Sequence, residues 1–548
     1  MVGNLVEGLM RWGACLVYML LVPNMLHMMQ LESYHLRDYW NWLIKNGKKA
    51  FKPGAIQLLI FVLAMALCYG ASRVVPHNNS LLFTWAQFGV LALAFFVPNV
   101  LQILKDKAAR KNAKKPLKYT ARAKRLYASN FIIVILLRVL CAGYVGEATI
   151  GVVLIYSFLI FTLPANMLFA NLFIDPLETA INNHYIRSAY RKLHKKEYKN
   201  LIKIGITGSY GKTSTKYILQ TILSEKYNVL ATPESYNTTM GNVRTIREKL
   251  MPEHEVFISE MGARNRYDIR EICNFVEPQI GIITSIGPQH LETFKSVENV
   301  AKTKRELLDS LPEDGVAFLP KDNQYCLQIY KAEQHKKYLY GINSSGDADV
   351  YAYDIKLSSE GSTFMVYANG EKFSCTTRLL GEHNVQNIVG CIAIALHLGL
   401  TEDEIVRGVS KVEAVPHRLQ ILPSGNGTVV IDDAFNSNPV GSKMALDVLK
   451  QFAGRKIIIT PGMVELGERE NELNREFGKQ MAESVDVAIL VGVKRSKPIV
   501  EGLRAKKFDE NSIYVVSNLE EATERLGKLT QAGDVVLFEN DLPDNYDE

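Results

Sequence analysis

Residues 201–215 read LIKIGITGSYGKTST, and this stretch decides the fold. LIKIGIT (201–207) is a short apolar run of strand type, stopped at once by Gly208. A helical pattern follows Gly211, so the segment predicts strand, tight turn and helix in direct succession. Such a turn suits an anion. Gly208 and Gly211 let the backbone curl until its N–H groups point inward, and the helix N-terminus adds its dipole. Ser209 and Ser214 flank the turn, Lys212 would reach the terminal phosphates of a nucleotide, and the Thr213 hydroxyl is placed for Mg²⁺. The strict GxxxxGK spacing is not met, because Ile206 stands where its first glycine would be.

Downstream, apolar strand patterns keep alternating with helical ones, which predicts a parallel sheet wrapped by helices. HEVFISEMGAR (254–264) delivers Glu260 to the carboxyl end of a strand, where sheets of this class bind ligands. QIGIITSIGPQHLETF (279–294) delivers His290 in the same way, and VENVAKTKREL (297–307) carries Lys302 and Lys304 on a helix.

The front of the chain is different. Residues 1–200 hold 24 Lys+Arg against 8 Asp+Glu, a net of +16, whereas 201–548 hold 39 against 49, a net of −10. Apolar stretches of bilayer length lie near 13–29, 54–74, 81–104, 127–146 and 149–173. They predict a five-helix transmembrane domain over 1–175, with Arg138 and Glu147 as its ionisable exceptions. The segment 105–125 carries ten basic residues and one acid, and 30–53 is basic as well. Both belong in the cytoplasm by the positive-inside rule. That leaves the loop Arg73–Asn79 and the N-terminus outside, with the catalytic part cytoplasmic in a multi-pass protein of the cell membrane. Residues 176–199 form an amphipathic basic linker ending in Arg191, Lys192, Lys195 and Lys196. Basic residues set between apolar spans, rather than among exposed aromatics, speak against nucleic acid as a partner. Seven scattered cysteines with no CxxC pair speak against a disulfide scaffold or a zinc site.

The form TGSYGKTST, rather than the common phosphate loop, resembles the Mur ligase family, ATP-dependent amide-bond ligases of bacterial cell-wall synthesis. The resemblance runs over about 200–540, and it implies a central ATP-binding domain, 200–415, and a smaller Rossmann-like C-terminal domain, 416–548. It implies that Glu260 and His290 help Thr213 hold Mg²⁺, and that Lys304 is carbamylated and supports a metal. A lysine ammonium would repel Mg²⁺, whereas a carbamate presents oxygens. LLGEHNVQNIVGCIAIAL (379–396) resembles the family's GxHNxxN turn, which places Asn387 near adenine. In PHRLQ (416–420) Arg418 matches an arginine on the ATP phosphates, and in TVVIDDAFNSNP (428–439) Asp433 matches the ribose-binding carboxylate, with Asn436 to Pro439 as the next turn. Asn237 and Thr238 in TPESYNTTMGN (232–242) correspond to a loop facing substrate and phosphate. The segments GARNRYDI (262–269), QHLETF and IDDAFNSNP are similar to the subgroup that adds D-alanyl-D-alanine.

What the resemblance implies is a peptide-bond ligase acting through an acyl phosphate, with Lys212, His290 and Lys304 as its catalytic residues. Its partners would be a cell-wall precursor and an amino acid or dipeptide, with membrane lipid as a further partner. A polyglutamate-type ligase is the alternative, and a membrane-bound ATPase or a scaffold with a decayed site stands behind it. Two departures bear on the substrate. The soluble ligases begin with a small domain that docks a uridine nucleotide, whereas here that place is taken by apolar helices. The end of the chain, DVVLFENDLPDNYDE, lacks the expected Lys-Gly-Ser-Arg turn.

Overall fold

The computed structural model describes residues 2–542 apart from 75–79, 112, 114, 146–148, 344–346, 423–426, 436 and 465. The chain separates into two compact units, divided between Asn182 and Asn183.

The first unit is helical: Val2–Leu31, Leu36–Val74, Ser80–Lys111, Ala121–Val145, Thr149–Phe161 and the start of Leu163–Leu193. Its core gathers residues from each of these, among them Tyr18, Tyr39, Phe61, Phe95, Val134, Tyr156 and Met167. Some of the polar groups inside it are paired across helices. Tyr18 donates to Asn130 Oδ1 at 3.0 Å, and the Arg125 guanidinium meets the buried Glu178 carboxylate at two atoms. Arg138 places its guanidinium over the ring of Trp12, 5.2 Å from the centroid, so it pairs two helices.

Of the five expected spans, the structure bears out apolar helices but not the number. Among the described residues three helices are long and apolar enough to cross a membrane, Val6–Leu31, Leu36–Val74 and Phe83–Lys111. They become four if Thr149–Phe161 and Leu163–Leu193, bent by 81° at their break, count as one. The bend falls at Thr162, inside the expected span 149–173. The expected span 127–146 runs into residues outside the described ones, as do most of the Arg73–Asn79 loop and Glu147. Pro176, expected to open a separate linker, lies inside the helix Leu163–Leu193.

The second unit is built on two sheets. Strands β1 (Ile202–Thr207), β2 (Val229–Ala231), β3 (Val256–Glu260), β4 (Ile280–Ile283), β5 (Val316–Pro320), β6 (Lys336–Ile342), β7 (Val350–Ser358), β8 (Gly361–Ala368) and β9 (Glu371–Thr377) form the larger one. Their order is β2-β3-β1-β4-β5-β6-β7-β8-β9. The first seven run parallel, and β8 and β9 add antiparallel hairpins. The central strands β3 and β5, VFISE and VAFLP, are buried at every residue because helices cover both faces. On β9, EKFSCTT, buried and open residues alternate, as on a sheet covered on one face only. Period-two alternation feeds two cores, Ile204, Ile206, Ile258 and Ile282 on one side and Phe257, Met261, Ile283 and Leu319 on the other.

The chain moves outward from β1 to β2, returns to β3, then crosses β1 to reach β4. The carboxyl ends of β1, β3 and β4 thus bound the crevice where the strand order reverses, the ligand position of open parallel sheets. The smaller sheet contains β10 (Gln420–Leu422), β11 (Val429–Asp433), β12 (Lys456–Thr460), β13 (Val487–Val491), β14 (Ile513–Val516) and β15 (Val535–Glu539). Its order is β10-β11-β15-β12-β13-β14, parallel except for β10. Asp433, Thr460 and Glu539 close three adjacent strands, again at the carboxyl edge.

Candidate active site

The turn after β1 is fixed by its glycines and by the neighbouring loop. Gly211 has φ 79°, a left-handed conformation that favours glycine, and a side chain there would strike Asn387. Asn387, from the helix Glu382–His397, therefore lies against the loop. Gly208 is packed so closely on Thr284 and Ser285 that a side chain would not fit. Ser209 is tied to the loop after β4 through Gly287, its hydroxyl 3.1 Å from both the carbonyl and the N–H. Tyr210 donates its N–H to Ser285 Oγ and its hydroxyl to the Pro288 carbonyl. The helix Lys212–Leu223 begins directly after Gly211 and carries Ser214 in its first turn.

Lys212 bends over this turn, Nζ donating to the Gly208 carbonyl at 2.7 Å. Burial lowers its pKa to about 8, against the opposing pull of Glu260. Thr213 donates its hydroxyl to Glu260 Oε1 at 3.0 Å, joining the loop helix to the end of β3. Arg418 reaches the same hydroxyl from the start of the second sheet, Nη2 3.4 Å from Thr213 Oγ1, while its guanidinium lies 4.4 Å from the centre of the Phe435 ring. Asn237 donates to Glu260 Oε1 at 3.3 Å, and its own carbonyl accepts from Gly262 N–H. The Thr238 hydroxyl caps the helix Thr239–Lys249 by accepting from Gly241 N–H.

Glu260 is wholly buried, and its Oε2 accepts no hydrogen bond although Lys216 Nζ stands 3.1 Å away as an ion pair. A buried carboxylate beside a threonine hydroxyl is an oxygen donor set of the kind Mg²⁺ takes together with phosphate oxygens and water. The residues fit the metal to that extent. Among the described residues no three of His, Cys, Asp and Glu gather as a ready-made metal cluster. His290 sits at φ 49° before the short helix Leu291–Phe294, its carbonyl accepting from Thr293. Lys304 is buried on the helix Val297–Arg305, and burial together with the charge of Lys212 takes its pKa well below the ordinary lysine value. Lys302, two residues away, is exposed.

At the second sheet, Asp433 Oδ1 accepts from Leu419 N–H at 3.2 Å, and burial raises its pKa to about 7, helped by Glu539. Glu539 itself is buried, held by the hydroxyls of Ser437 and Thr460. Asn436 lies outside the described residues. Sequence reading missed Lys216, Tyr210 and Glu539. Lys216 carries a visible signal, since it stands three positions after Thr213 and so shares its helix face. Glu539 has none, its partners lying 79 and 102 residues away.

A phosphate-loop helix, a buried carboxylate and an arginine from a second sheet meeting at one hydroxyl define a nucleotide-dependent enzyme of two α/β domains. The Mur ligase middle domain matches residues 206–395, and the Mur ligase glutamate ligase domain matches 417–539. The chain belongs to the Mur ligase family and is an ATP-dependent C–N ligase. It is 28% identical over 339 residues to the UDP-N-acetylmuramoyl-tripeptide–D-alanyl-D-alanine ligase of Bacillus subtilis, covering 61% of this chain and 72% of that one. A crystal structure of MurF from Acinetobacter baumannii superposes with a TM-score of 0.60 at 27% identity, over 66% of this chain and 77% of the other. MurF ligase from Thermotoga maritima, solved in complex with ADP, superposes at 0.58 with 25% identity, over 66% and 80%. Enzymes of this family use ATP and Mg²⁺.

The comparisons correct one expectation. A multi-pass location in the cell membrane with cytoplasmic catalytic domains was read from the apolar stretches, but the relatives are soluble cytoplasmic enzymes. The front helices contribute only length and apolar composition. Membrane lipid as a partner finds no support in the relatives either.

Proposed function

We propose that this ligase forms a peptide bond on a peptidoglycan precursor, joining D-alanyl-D-alanine to the end of a UDP-linked muramoyl tripeptide. The observation that carries it is the meeting of Thr213, Glu260 and Arg418 at one point above the phosphate turn. The named substrates of its relatives support the choice of peptide and dipeptide.

The acceptor's terminal carboxylate attacks the γ-phosphorus of ATP, and the bond to the bridging oxygen breaks, releasing ADP and leaving an acyl phosphate. The amine of the dipeptide then attacks the acyl carbon. Phosphate departs and the nitrogen loses a proton, giving the amide. Lys212 and Arg418 supply positive charge where the transferring phosphoryl group gathers negative charge. Ser209, Gly208 and Gly211 shape the turn, and Ser214 lies in the first turn of the helix whose N–H groups face the phosphates. Asn387 lies on the adenine side and Asp433 on the ribose. Mg²⁺ would be held by Thr213 and Glu260, with His290 as a further ligand by the family resemblance, and would supply Lewis-acid polarisation of the phosphates. Lys304 is carbamylated in this reading. Its depressed pKa supports that, because only the neutral amine attacks CO₂. Asn237 faces the acceptor through its link to Glu260.

Full-length protein is incubated with ATP, Mg²⁺, the UDP-linked tripeptide and D-alanyl-D-alanine, and the products are weighed by mass spectrometry. An adduct heavier by the dipeptide less one water, with ADP formed only when both substrates are present, is the expected result. ADP release indifferent to the dipeptide would overturn it.

A further inference from the structure

Lys216 is wholly buried, yet the chemistry above gives it no task. It lies on the helix Lys212–Leu223 one turn after Thr213, so the two side chains share a face. Both use it on one carboxylate. Thr213 takes Glu260 Oε1 at 3.0 Å, and Lys216 Nζ stands 3.1 Å from Oε2. The same ammonium donates to the backbone carbonyl of Glu234, in the loop that leads to Asn237.

That loop turns sharply at Glu234, whose φ of 46° lies in the left-handed region. Nothing about glutamate favours this conformation, so the contacts around it must hold it. Two consecutive helix residues do so. Lys216 holds the Glu234 carbonyl, and the Tyr217 hydroxyl accepts from the Glu234 N–H at 3.0 Å. The ring of Tyr217 also lies beneath the Lys216 ammonium, 4.7 Å from its centroid. Three residues on, Asn237 returns to Glu260 Oε1 at 3.3 Å. Helix, carboxylate and loop therefore form a closed ring, in which Lys216 is the helix side chain that touches both the carboxylate and the loop.

From this ring we infer that Lys216 is a positioning residue that couples the acceptor-facing loop 232–238 to the metal-binding carboxylate Glu260; this rests on the function proposed above. The arrangement has two consequences of opposite sign. The ammonium competes with a second cation for Glu260, so it moderates the affinity for Mg²⁺. It also holds the loop in place, so it favours the acceptor. A residue that merely filled space would not separate the two.

The test uses full-length Lys216→Met, which keeps the stem and removes the charge, beside Lys216→Arg and Tyr217→Phe. Binding of a fluorescent ATP analogue is titrated with Mg²⁺, and KM and kcat are measured for the tripeptide acceptor. Lys216→Met should reach half-saturation at severalfold lower Mg²⁺ while its acceptor KM rises on the order of tenfold, the usual cost of losing a hydrogen bond to a charged group. Lys216→Arg should restore part of the acceptor KM. Tyr217→Phe should raise the acceptor KM and leave the Mg²⁺ response alone, and this holds as the test if Lys216→Met does not fold. An unchanged acceptor KM in Tyr217→Phe, or in a folded Lys216→Met, overturns the coupling, as does a weaker Mg²⁺ response in the latter. A wild-type protein that makes no adduct contradicts the proposed substrates instead, and the Mg²⁺ titration then still decides the role of Lys216 at Glu260.

Discussion

The hydroxyl of Thr213 donates to Glu260 Oε1 at 3.0 Å and lies 3.4 Å from the guanidinium of Arg418. Three distant parts of the chain, the phosphate-loop helix, the end of β3 and the entry to the second sheet, thus meet at one oxygen. In the proposed mechanism binding and catalysis both depend on this junction, because the phosphoryl group must be held by charges from both domains while water is kept out.

Lys212→Ala should remove nucleotide turnover while the fold persists. One lost charge-assisted contact to phosphate typically costs a few kcal/mol, about a hundredfold or more in rate. The wild type carries a pH signature as well. With the Lys212 pKa lowered to about 8, the amine is protonated below that value and neutral above it. ATP affinity should fall as pH rises through about 8, and Lys212→Arg should flatten the fall. Titrating a fluorescent ATP analogue across pH checks both.

Lys304→Ala should be nearly inactive and should recover partly with added short carboxylates. Mass spectrometry of the native protein should find one carbamate that disappears when CO₂ is depleted. Lys302→Ala should keep its activity, since Lys302 is exposed on the same helix. A fully active Lys304→Ala at depleted CO₂ would sink the carbamate.

Asp433 predicts a stability trend whose sign can be worked out. Unfolded, the carboxyl ionises near its ordinary 3.8, but in the fold it keeps its proton to about 7, because it is buried and because Glu539 is close. Between those values the folded form binds more protons than the unfolded one, so this group's contribution to stability falls as pH rises from about 4 to about 7. Asp433→Asn should therefore gain Tm over the wild type at pH 8 relative to pH 4, while its KM for ATP rises. A Tm difference that does not change with pH would contradict the assignment.

Arg418→Lys should raise the KM for ATP, since a lysine cannot both reach Thr213 and lie flat on Phe435. Thermal unfolding should shift little, and steady-state kinetics with ATP varied would separate the two effects.

Much of the phosphate turn was legible because its residues act on neighbours in the chain. Strand, Gly208, Gly211 and Lys212 fall within 12 residues, and local pattern suffices. Glu260 was found from its place at a strand end, a rule of parallel sheets. The Lys216 ring was not found, because its members come together only when β1 and β3 pair through Ile206 and Glu260. Glu539 was missed for the same reason, its hydroxyl partners lying on other elements of the second sheet. The hairpins β7 to β9 were hidden by a half-exposed alternation interrupted between Tyr353 and Lys356. At the front, apolar runs showed where helices form, but composition alone could not foresee the break at Thr162 or fix a location.

The acyl phosphate is tested most directly by following oxygen. The tripeptide acceptor is prepared with ¹⁸O in its terminal carboxylate and turned over with ATP and D-alanyl-D-alanine, and the released phosphate is analysed by mass. The account predicts one labelled oxygen in each phosphate formed with an amide, since the attacking carboxylate oxygen stays on phosphorus when the amine displaces it. Unlabelled phosphate alongside amide formation would contradict it.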